Sequence, residues 1–128
     1  MPHLRLEYSK NVQMAEDHLK VLFLKLHEAL VSKANAELFR CQSRSISYEN
    51  FFVGDGEKNR AFVYLQVILI QGRTPMQLQE TGNALLKILQ DEFKDLLLHY
   101  NAQISVHINE IQTDRSYKSN HRAGAREM

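Results

Sequence analysis

The chain has 128 residues, of which 16 are Lys or Arg and 15 are Asp or Glu, so its net charge is +1 at pH 7 with histidine neutral. This length predicts one globular domain over residues 1–128. Proteins that bind nucleic acids usually carry a net positive charge, so the near-neutral charge argues against a nucleic-acid partner. Cys41 is the single cysteine, which excludes an internal disulfide. No signal-peptide pattern or membrane-length apolar run occurs, so we expect a cytoplasmic protein without a membrane partner.

The first elements predicted are a strand and a long helix. Leu4, Leu6 and Tyr8 alternate with polar residues, as in a half-buried strand that begins almost at the first residue. Asn11 is a candidate N-cap for the helix, which we expect to end near Ser32. The apolar stripe of this helix repeats at helical spacing and consists of Leu19, Leu22, Phe23, Leu26 and Leu30.

Two further strands are predicted on either side of a polar loop. Residues 42–48 are compatible with a strand, and the turn residues at 54–59 predict a hairpin-like return. Residues 61–70 are almost continuously aromatic or branched, so we expect them to form the most central strand, covered on both faces.

A second helix, a fourth strand and a polar tail complete the chain. Thr74, Pro75 and Gln77 match an N-cap, a first-turn proline and a capping box, and the helix that they begin is predicted to reach about Tyr100. Its inward residues are expected to be Leu78, Leu85, Leu89, Phe93, Leu96 and Leu97. Residues 104–108 alternate like a strand, and residues 112–128 form a polar C-terminal tail without core residues.

These elements predict an α+β fold of duplicated β-α-β units, in the order βαββαβ. Two such units give a four-stranded mixed sheet with two helices on one face. The helices leave the other face of the sheet uncovered, although the central strand is apolar on both sides, with Phe62, Tyr64, Val67, Leu69 and their neighbours. We therefore expect this face to meet other copies of the chain in a homo-oligomer.

Motifs for cofactors and metals do not occur in the sequence. There is no Gly-rich phosphate loop, no His-Glu-x-x-His, no cysteine pair and no Gly-x-Ser-x-Gly. The six histidines are not spaced as zinc ligands. These absences exclude the enzyme classes that such motifs mark, and we expect no dependence on a metal.

Two residues are unusual for their positions. Pro2 is compatible with the first residue of a strand, but removal of Met1 would also expose its secondary amine, which is a base when neutral at pH 7. Arg73 stands just before a predicted helix, where a cation opposes the helix dipole. It is either a surface residue or, beside the exposed N–H groups of that helix, a carboxylate receptor.

The order and spacing of five short segments match a known family. These segments are Pro2-His3, Ser43-Arg44, Ala61-Phe62-Val63, Gly72-Arg73-Thr74 and Ile108-Asn109-Glu110-Ile111. Together they resemble the 5-carboxymethyl-2-hydroxymuconate delta-isomerase family of the tautomerase superfamily, over residues 2 to about 120. The strand-Gly-Arg-Thr-helix segment is also similar to 4-oxalocrotonate tautomerase.

The resemblance implies a tautomerase-like fold, a homotrimer with its sheets inside, and a cofactor-free isomerisation of a small unsaturated oxo or hydroxy di- or tricarboxylate from aromatic catabolism. It implies that Pro2 is the catalytic base and that Arg73 binds a substrate carboxylate. Gln42 stands where an arginine is expected. Arg40, Gln42 and Arg44 would share one strand face by period two, so these three are further substrate-binding candidates.

Other functions stay open at this point. Because Gln42 changes the pattern of carboxylate-binding residues, the protein could be another keto-enol tautomerase or a related hydratase or dehalogenase. A non-catalytic βαββαβ module that uses its open sheet face for assembly is an alternative from a different class, since only Pro2 and Arg73 are chemically unusual.

Overall fold

A computed structural model describes residues 1–121 and 123, and the end of the predicted polar tail, residues 122 and 124–128, lies outside the described residues. The strands and helices are β1 (His3–Ser9), α1 (Glu16–Ala34), β2 (Gln42–Tyr48), β3 (Arg60–Ile70), α2 (Pro75–Glu92), α3 (Lys94–His99) and β4 (Asn101–Ile111). Short 3-10 turns occupy Leu38–Arg40 and Thr113–Arg115.

The strands form one mixed sheet in the order β2-β1-β3-β4. β1 is parallel to β2, β3 is parallel to β4, and β1 and β3 are antiparallel. The two predicted β-α-β units are therefore confirmed, and they meet at the central β1–β3 pair. The predicted hairpin-like return from β2 to β3 is wrong, because β2 and β3 are not neighbours in the sheet. The α1 crossover places β2 on the outer side of β1, and β3 pairs with the other side of β1.

The core lies between one face of the sheet and the helices α1 and α2. Its fully buried aliphatic side chains are Leu4, Leu6, Leu22, Leu26, Leu30, Val63, Leu65, Val67, Leu69, Leu85 and Leu89. Burial of each such side chain stabilises the fold by about 1.5–3 kcal/mol relative to exposure. The apolar stripes predicted for the two helices thus pack against alternate residues of the central strands.

The helices cover only one face of β3. Val67 and Leu69 are fully buried on the helix side, whereas Phe62, Tyr64 and Ile68 alternate with them and are half-buried on the opposite side. Within one chain β3 is covered on one face only, because α1 and α2 lie on the same side of the sheet; cover on the second face stays a prediction that depends on other copies of the chain.

The open face of the sheet, defined as the side away from α1 and α2, is more polar than predicted. Arg5 Nε lies 2.8 Å from Glu7 Oε2, and Arg5 Nη2 donates a hydrogen bond of 2.6 Å to Gln66 Oε1. These polar groups lie beside the half-buried Tyr64 and Ile68, so the face mixes apolar and charged side chains.

The start of α1 also differs from the prediction. Its N-cap position is Ala15, which makes no side-chain cap, and two acidic residues in the first turn complement the positive end of the helix dipole instead. Asn11 is not the cap. It accepts a hydrogen bond from Ser9 Oγ at 2.7 Å and donates one to the Arg60 carbonyl at 2.7 Å, which joins the end of β1 to the start of β3.

The start of α2 agrees with the prediction in detail. Gln77 N donates to Thr74 Oγ1 at 3.1 Å, and Thr74 N donates to Gln77 Oε1 at 3.1 Å, with Pro75 in the first turn. The capping box is confirmed.

The predicted second helix is divided in two after Glu92. The buried Phe93 separates α2 from α3, so the helical repeat of α2 does not continue unchanged to Tyr100. Leu97, predicted to point inward, is 41% exposed, and that assignment is wrong for this reason. In the described part of the chain, no helix combines the length and hydrophobicity that crossing a bilayer requires.

Candidate active site

One edge of the sheet brings together most of the residues that the sequence singled out. β1 and β2 begin at this edge, while β3 and β4 end there. His3 pairs with Gln42, and Ile70 pairs with Ile111. Pro2 immediately precedes β1 in the middle of this row, which we call the Pro2 edge.

Pro2 is held firmly at this position. Its side chain is buried, and its carbonyl oxygen accepts a hydrogen bond of 3.0 Å from Gln42 N. The pKa of the neighbouring terminal amine, on Met1, is lowered first by burial and then by the positive charges of Lys118 and Arg40, with Cys41 opposing. An amine at this edge is therefore favoured in its neutral, basic form.

Gln42 and Arg44 share the open face of β2, and Arg44 meets a residue of β1 there. Arg44 Nη2 lies 2.9 Å from His3 Nδ1. A guanidinium can only donate hydrogen bonds, so Nδ1 must accept, which requires a neutral imidazole. The pKa of His3 is lowered accordingly, by burial first, then by Arg44 and then by the terminal amine.

Arg40 does not lie on that strand face, and the period-two prediction for it is wrong. It belongs to the 3-10 turn Leu38–Arg40, which ends with a hydrogen bond of 3.2 Å from Cys41 N to the Leu38 carbonyl before β2 begins. Arg40 Nε lies 2.5 Å from Glu37 Oε2. The turn still brings the charge of Arg40 close enough to lower the pKa of the terminal amine.

Arg73 has partners that the sequence did not indicate. Its Nε donates to the Ala34 carbonyl at 2.8 Å, and its Nη1 donates to the Ile70 carbonyl at 2.8 Å. Ala34 is the last residue of α1, where carbonyl groups lack helical partners and a cation matches the negative end of the dipole. Arg73 thus joins α1 to β3 with two of the five N–H donors of its guanidinium.

The structure therefore separates the predicted residues into groups. Pro2, Gln42 and Arg40 lie at the Pro2 edge, and Arg44 lies two residues further along β2. Arg73 follows the end of β3 at the same edge but directs two of its donors to backbone carbonyls.

Sequence reasoning missed His3 and Lys118. His3 could have been found from the sequence, because it is adjacent to Pro2. Side chains alternate along a strand, so His3 lies on the same face of β1 as Arg5, which is the open face. Lys118 had no local signal, because it lies in the polar tail and approaches the amine only in the folded chain.

The chemistry that this arrangement supports is proton transfer beside bound anions. An amine favoured in its neutral form can accept a proton, and the guanidinium groups nearby can bind carboxylates. Within residues 1–121 and 123, no three His, Cys, Asp or Glu side chains gather closely enough to hold a metal ion.

Comparison with known proteins identifies the family. The family model for 5-carboxymethyl-2-hydroxymuconate isomerase matches residues 2–123. The chain belongs to this family. A curated relative, the 5-carboxymethyl-2-hydroxymuconate Delta-isomerase of Escherichia coli, is 26% identical over 120 residues, which are 94% of each chain. The resemblance seen in the sequence is confirmed, and the protein is an isomerase rather than a non-catalytic module.

Solved structures agree with this family assignment. A 5-carboxymethyl-2-hydroxymuconate isomerase from Deinococcus radiodurans R1 matches with a TM-score of 0.84 and 28% identity, covering 94% of this chain and 90% of that one. A protein described as a Q0 fused 4-OT wild type symmetric trimer matches with a TM-score of 0.75 and 19% identity, covering 92% of both chains. The predicted tautomerase-like fold is confirmed.

We expect Arg73→Ala to lower the free energy of unfolding of this isomerase by about 1–2 kcal/mol, because two charge-assisted hydrogen bonds between α1 and β3 are lost. Urea denaturation measures the change. Lys58→Ala, an exposed cation in the loop before β3, is the control and should change stability by less than about 0.5 kcal/mol. Equal stability of the two variants would contradict the structural role of Arg73.

We expect the pKa of His3 to lie below that of a free imidazole and to rise in Arg44→Ala, measured by NMR titration of labelled histidine side chains. Since the folded pKa is the lower one, neutral His3 contributes stability above the unfolded pKa of about 6.5, and this contribution is lost as the pH falls through the folded pKa. Arg115→Ala, in the exposed 3-10 turn after β4, is the control. A His3 pKa that is the same in wild type and Arg44→Ala would be inconsistent with the observed contact.

Proposed function

We propose that this protein catalyses the cofactor-independent isomerisation of a small unsaturated oxo or hydroxy di- or tricarboxylate of the 5-carboxymethyl-2-hydroxymuconate type, in cytoplasmic catabolism of aromatic compounds. The name of the Escherichia coli relative supports this substrate class. The observation that carries the proposal is the burial of Pro2 next to a terminal amine whose pKa is lowered.

Pro2 acts as the general base after Met1 has been removed. With Met1 present, the Pro2 nitrogen is an amide and has no basicity; without it, the nitrogen is a secondary amine. Burial and the charges of Arg40 and Lys118 lower the pKa of the Met1 amine, and the Pro2 nitrogen lies one residue further into the same surroundings. The same influences favour the neutral form of the Pro2 amine, which can take a proton from one carbon of the substrate and return it to another.

Arginines bind the substrate carboxylates and stabilise the negative charge that develops on the dienolate. Arg44 is exposed on the open face, and Arg40 lies at the Pro2 edge. Arg73 keeps three N–H donors beyond the two that bind backbone carbonyls. Gln42 contributes an uncharged amide, which orients a polar group of the substrate without neutralising it.

Gln42 also supports a second candidate within the same fold. An amide in place of an arginine weakens the binding of one carboxylate, so the preferred substrate would be that of another keto-enol tautomerase or of a related hydratase or dehalogenase. Comparison of kcat/KM across enols and 2-oxo acids with one, two and three carboxylates distinguishes the two candidates.

The assembly that we propose is a homotrimer in which the open sheet faces meet. The Q0 fused 4-OT neighbour is described as a symmetric trimer, and it shares the fold. The half-buried Phe62, Tyr64 and Ile68 are apolar side chains on a sheet face that the helices of the same chain do not cover. Burial of such a face against other copies stabilises the assembly.

We expect Pro2→Ala to lower kcat about 10²–10⁴-fold, because the secondary amine that acts as the base is lost. Ultraviolet absorbance measures turnover of 5-carboxymethyl-2-hydroxymuconate. Pro75→Ala, which changes the other proline at the start of α2, should keep most of the activity. Intact-mass analysis should show that untagged protein has lost Met1. Full activity of Pro2→Ala, or an active protein that retains Met1, would refute the role of Pro2.

We expect light scattering to give three times the mass of one chain. Ile68→Asp places a charge on the proposed contact face and should dissociate the assembly, because an unpaired buried charge is costly. Leu98→Asp on α3, where Leu98 is 75% exposed, is the matched control and should remain trimeric. A monomeric wild-type protein would exclude the proposed assembly.

A further inference from the structure

The segment after β4 returns across the Pro2 edge. β4 lies at one outer side of the sheet and ends at Ile111. After the 3-10 turn at Thr113–Arg115, residues 116–121 have no regular secondary structure, and Asn120 lines a groove of about 650 Å³ together with Arg40. Arg40 lies two residues before the start of β2, which is the other outer strand. Residues 116–121, which we call the return segment, therefore pass the start of β1.

Lys118 lies near the middle of the return segment, close to the amino terminus. Its charge lowers the pKa of the terminal amine by more than the charge of Arg40 does. The groups that act on this amine are Lys118, Arg40 and Cys41, and the amine in turn acts on His3. The path of the chain, which brings Asn120 beside Arg40, and the effect of the Lys118 charge on the terminal amine both place Lys118 near the amino terminus.

The cations at this edge differ in what they bind. Arg40 pairs with Glu37, Arg44 contacts His3, and Arg73 donates to two backbone carbonyls. For exposed Lys118, no carboxylate among residues 1–121 and 123 lies within ion-pair distance. Its ammonium can therefore bind an anion from solution without breaking a contact within this described part of the protein.

We propose that Lys118 is a substrate-binding residue of the site at Pro2 and that its ammonium binds one carboxylate of the unsaturated di- or tricarboxylate. An arginine is expected at position 42 of β2, and Gln42 has no charge. Lys118, in the return segment, supplies a positive charge instead. This inference rests on the proposed function, because it assigns a carboxylate-bearing substrate to the same site.

The chemistry of a lysine suits this task. Its ammonium is a compact charge on a flexible four-carbon stem, so it can follow a carboxylate from an exposed segment without the fixed geometry that an arginine requires. The same charge has a second effect, because a cation near the Pro2 nitrogen favours its neutral form. Lys118 is therefore expected to influence both substrate binding and the pH dependence of turnover.

The test compares Lys118→Gln, Lys118→Arg and the control Lys58→Gln in steady-state kinetics. Lys58 is exposed in the loop before β3, at the opposite edge of the sheet. We expect Lys118→Gln to raise KM for 5-carboxymethyl-2-hydroxymuconate roughly tenfold, which corresponds to the loss of one charge-assisted contact. Lys118→Arg should restore most of the affinity, and Lys58→Gln should leave KM unchanged.

Two further readouts separate substrate binding from a merely structural effect. For a substrate analogue in which one carboxylate is replaced by a neutral amide, the difference between wild type and Lys118→Gln should disappear. The acid limb of the kcat/KM profile should move to higher pH in Lys118→Gln, because the pKa of the amine rises when the cation is lost. An unchanged KM, or an equal rise in KM for both substrates, would overturn the proposal.

Failure of the proposed function can be told apart from failure of this inference. If the wild-type protein does not turn over the substrate panel, calorimetry with hexanedioate, a saturated dicarboxylate, measures binding directly. Roughly tenfold weaker binding of hexanedioate to Lys118→Gln would support Lys118 as a carboxylate-binding residue while the isomerisation itself was rejected. Equal binding to wild type and Lys118→Gln would overturn the inference.

Discussion

The site depends on the double pairing of β1, which is parallel to β2 on one side and antiparallel to β3 on the other. The first residues of a chain are usually poorly ordered, because few contacts hold them. Here the strand begins at His3, so Pro2 is fixed between two neighbours and its carbonyl is bonded by Gln42 N. This pairing buries the amino terminus and brings the charges of Arg40 and Lys118 near it, which lowers the pKa of the amine there.

The positive charges around this amine are not equivalent. Arg73 stabilises the end of α1 and its junction with β3, although the sequence pattern suggested a carboxylate receptor beside α2. Arg44 donates to His3 and so requires a neutral imidazole next to Pro2. Arg40 pairs with Glu37, and the negative charge of Glu37 weakens the attraction of Arg40 for an anionic ligand. Each guanidinium must be judged by the partners that it already has, because a cation with satisfied donors gains less from binding a substrate anion.

The open sheet face carries both apolar side chains and paired charges. A sheet face that meets solvent is mainly polar, and a simple apolar interface has no charged pairs. Its apolar residues, including Tyr64 and Ile68, are half-buried within one chain, and they lie beside the ion pair of Arg5 and Glu7. Contacts between copies of such a face would need to satisfy the charged groups as well as cover the apolar ones. The pairing of Arg5 with both Glu7 and Gln66 already satisfies part of this requirement within the chain.

The sequence by itself determined the order of the elements, the capping box at Thr74, the family and the unusual position of Pro2, because each depends on residues that are close along the chain or on the order of short segments. It did not predict that β1 separates β2 from β3, since strand order depends on where the helical crossover carries the chain. The tertiary structure alone decided that Arg73 binds the carbonyl of Ala34, a residue 39 positions away, and that Lys118 approaches the amino terminus. Hydrogen bonds and electrostatic fields act through space between segments distant in sequence, and local periodicity carries no information about such distances.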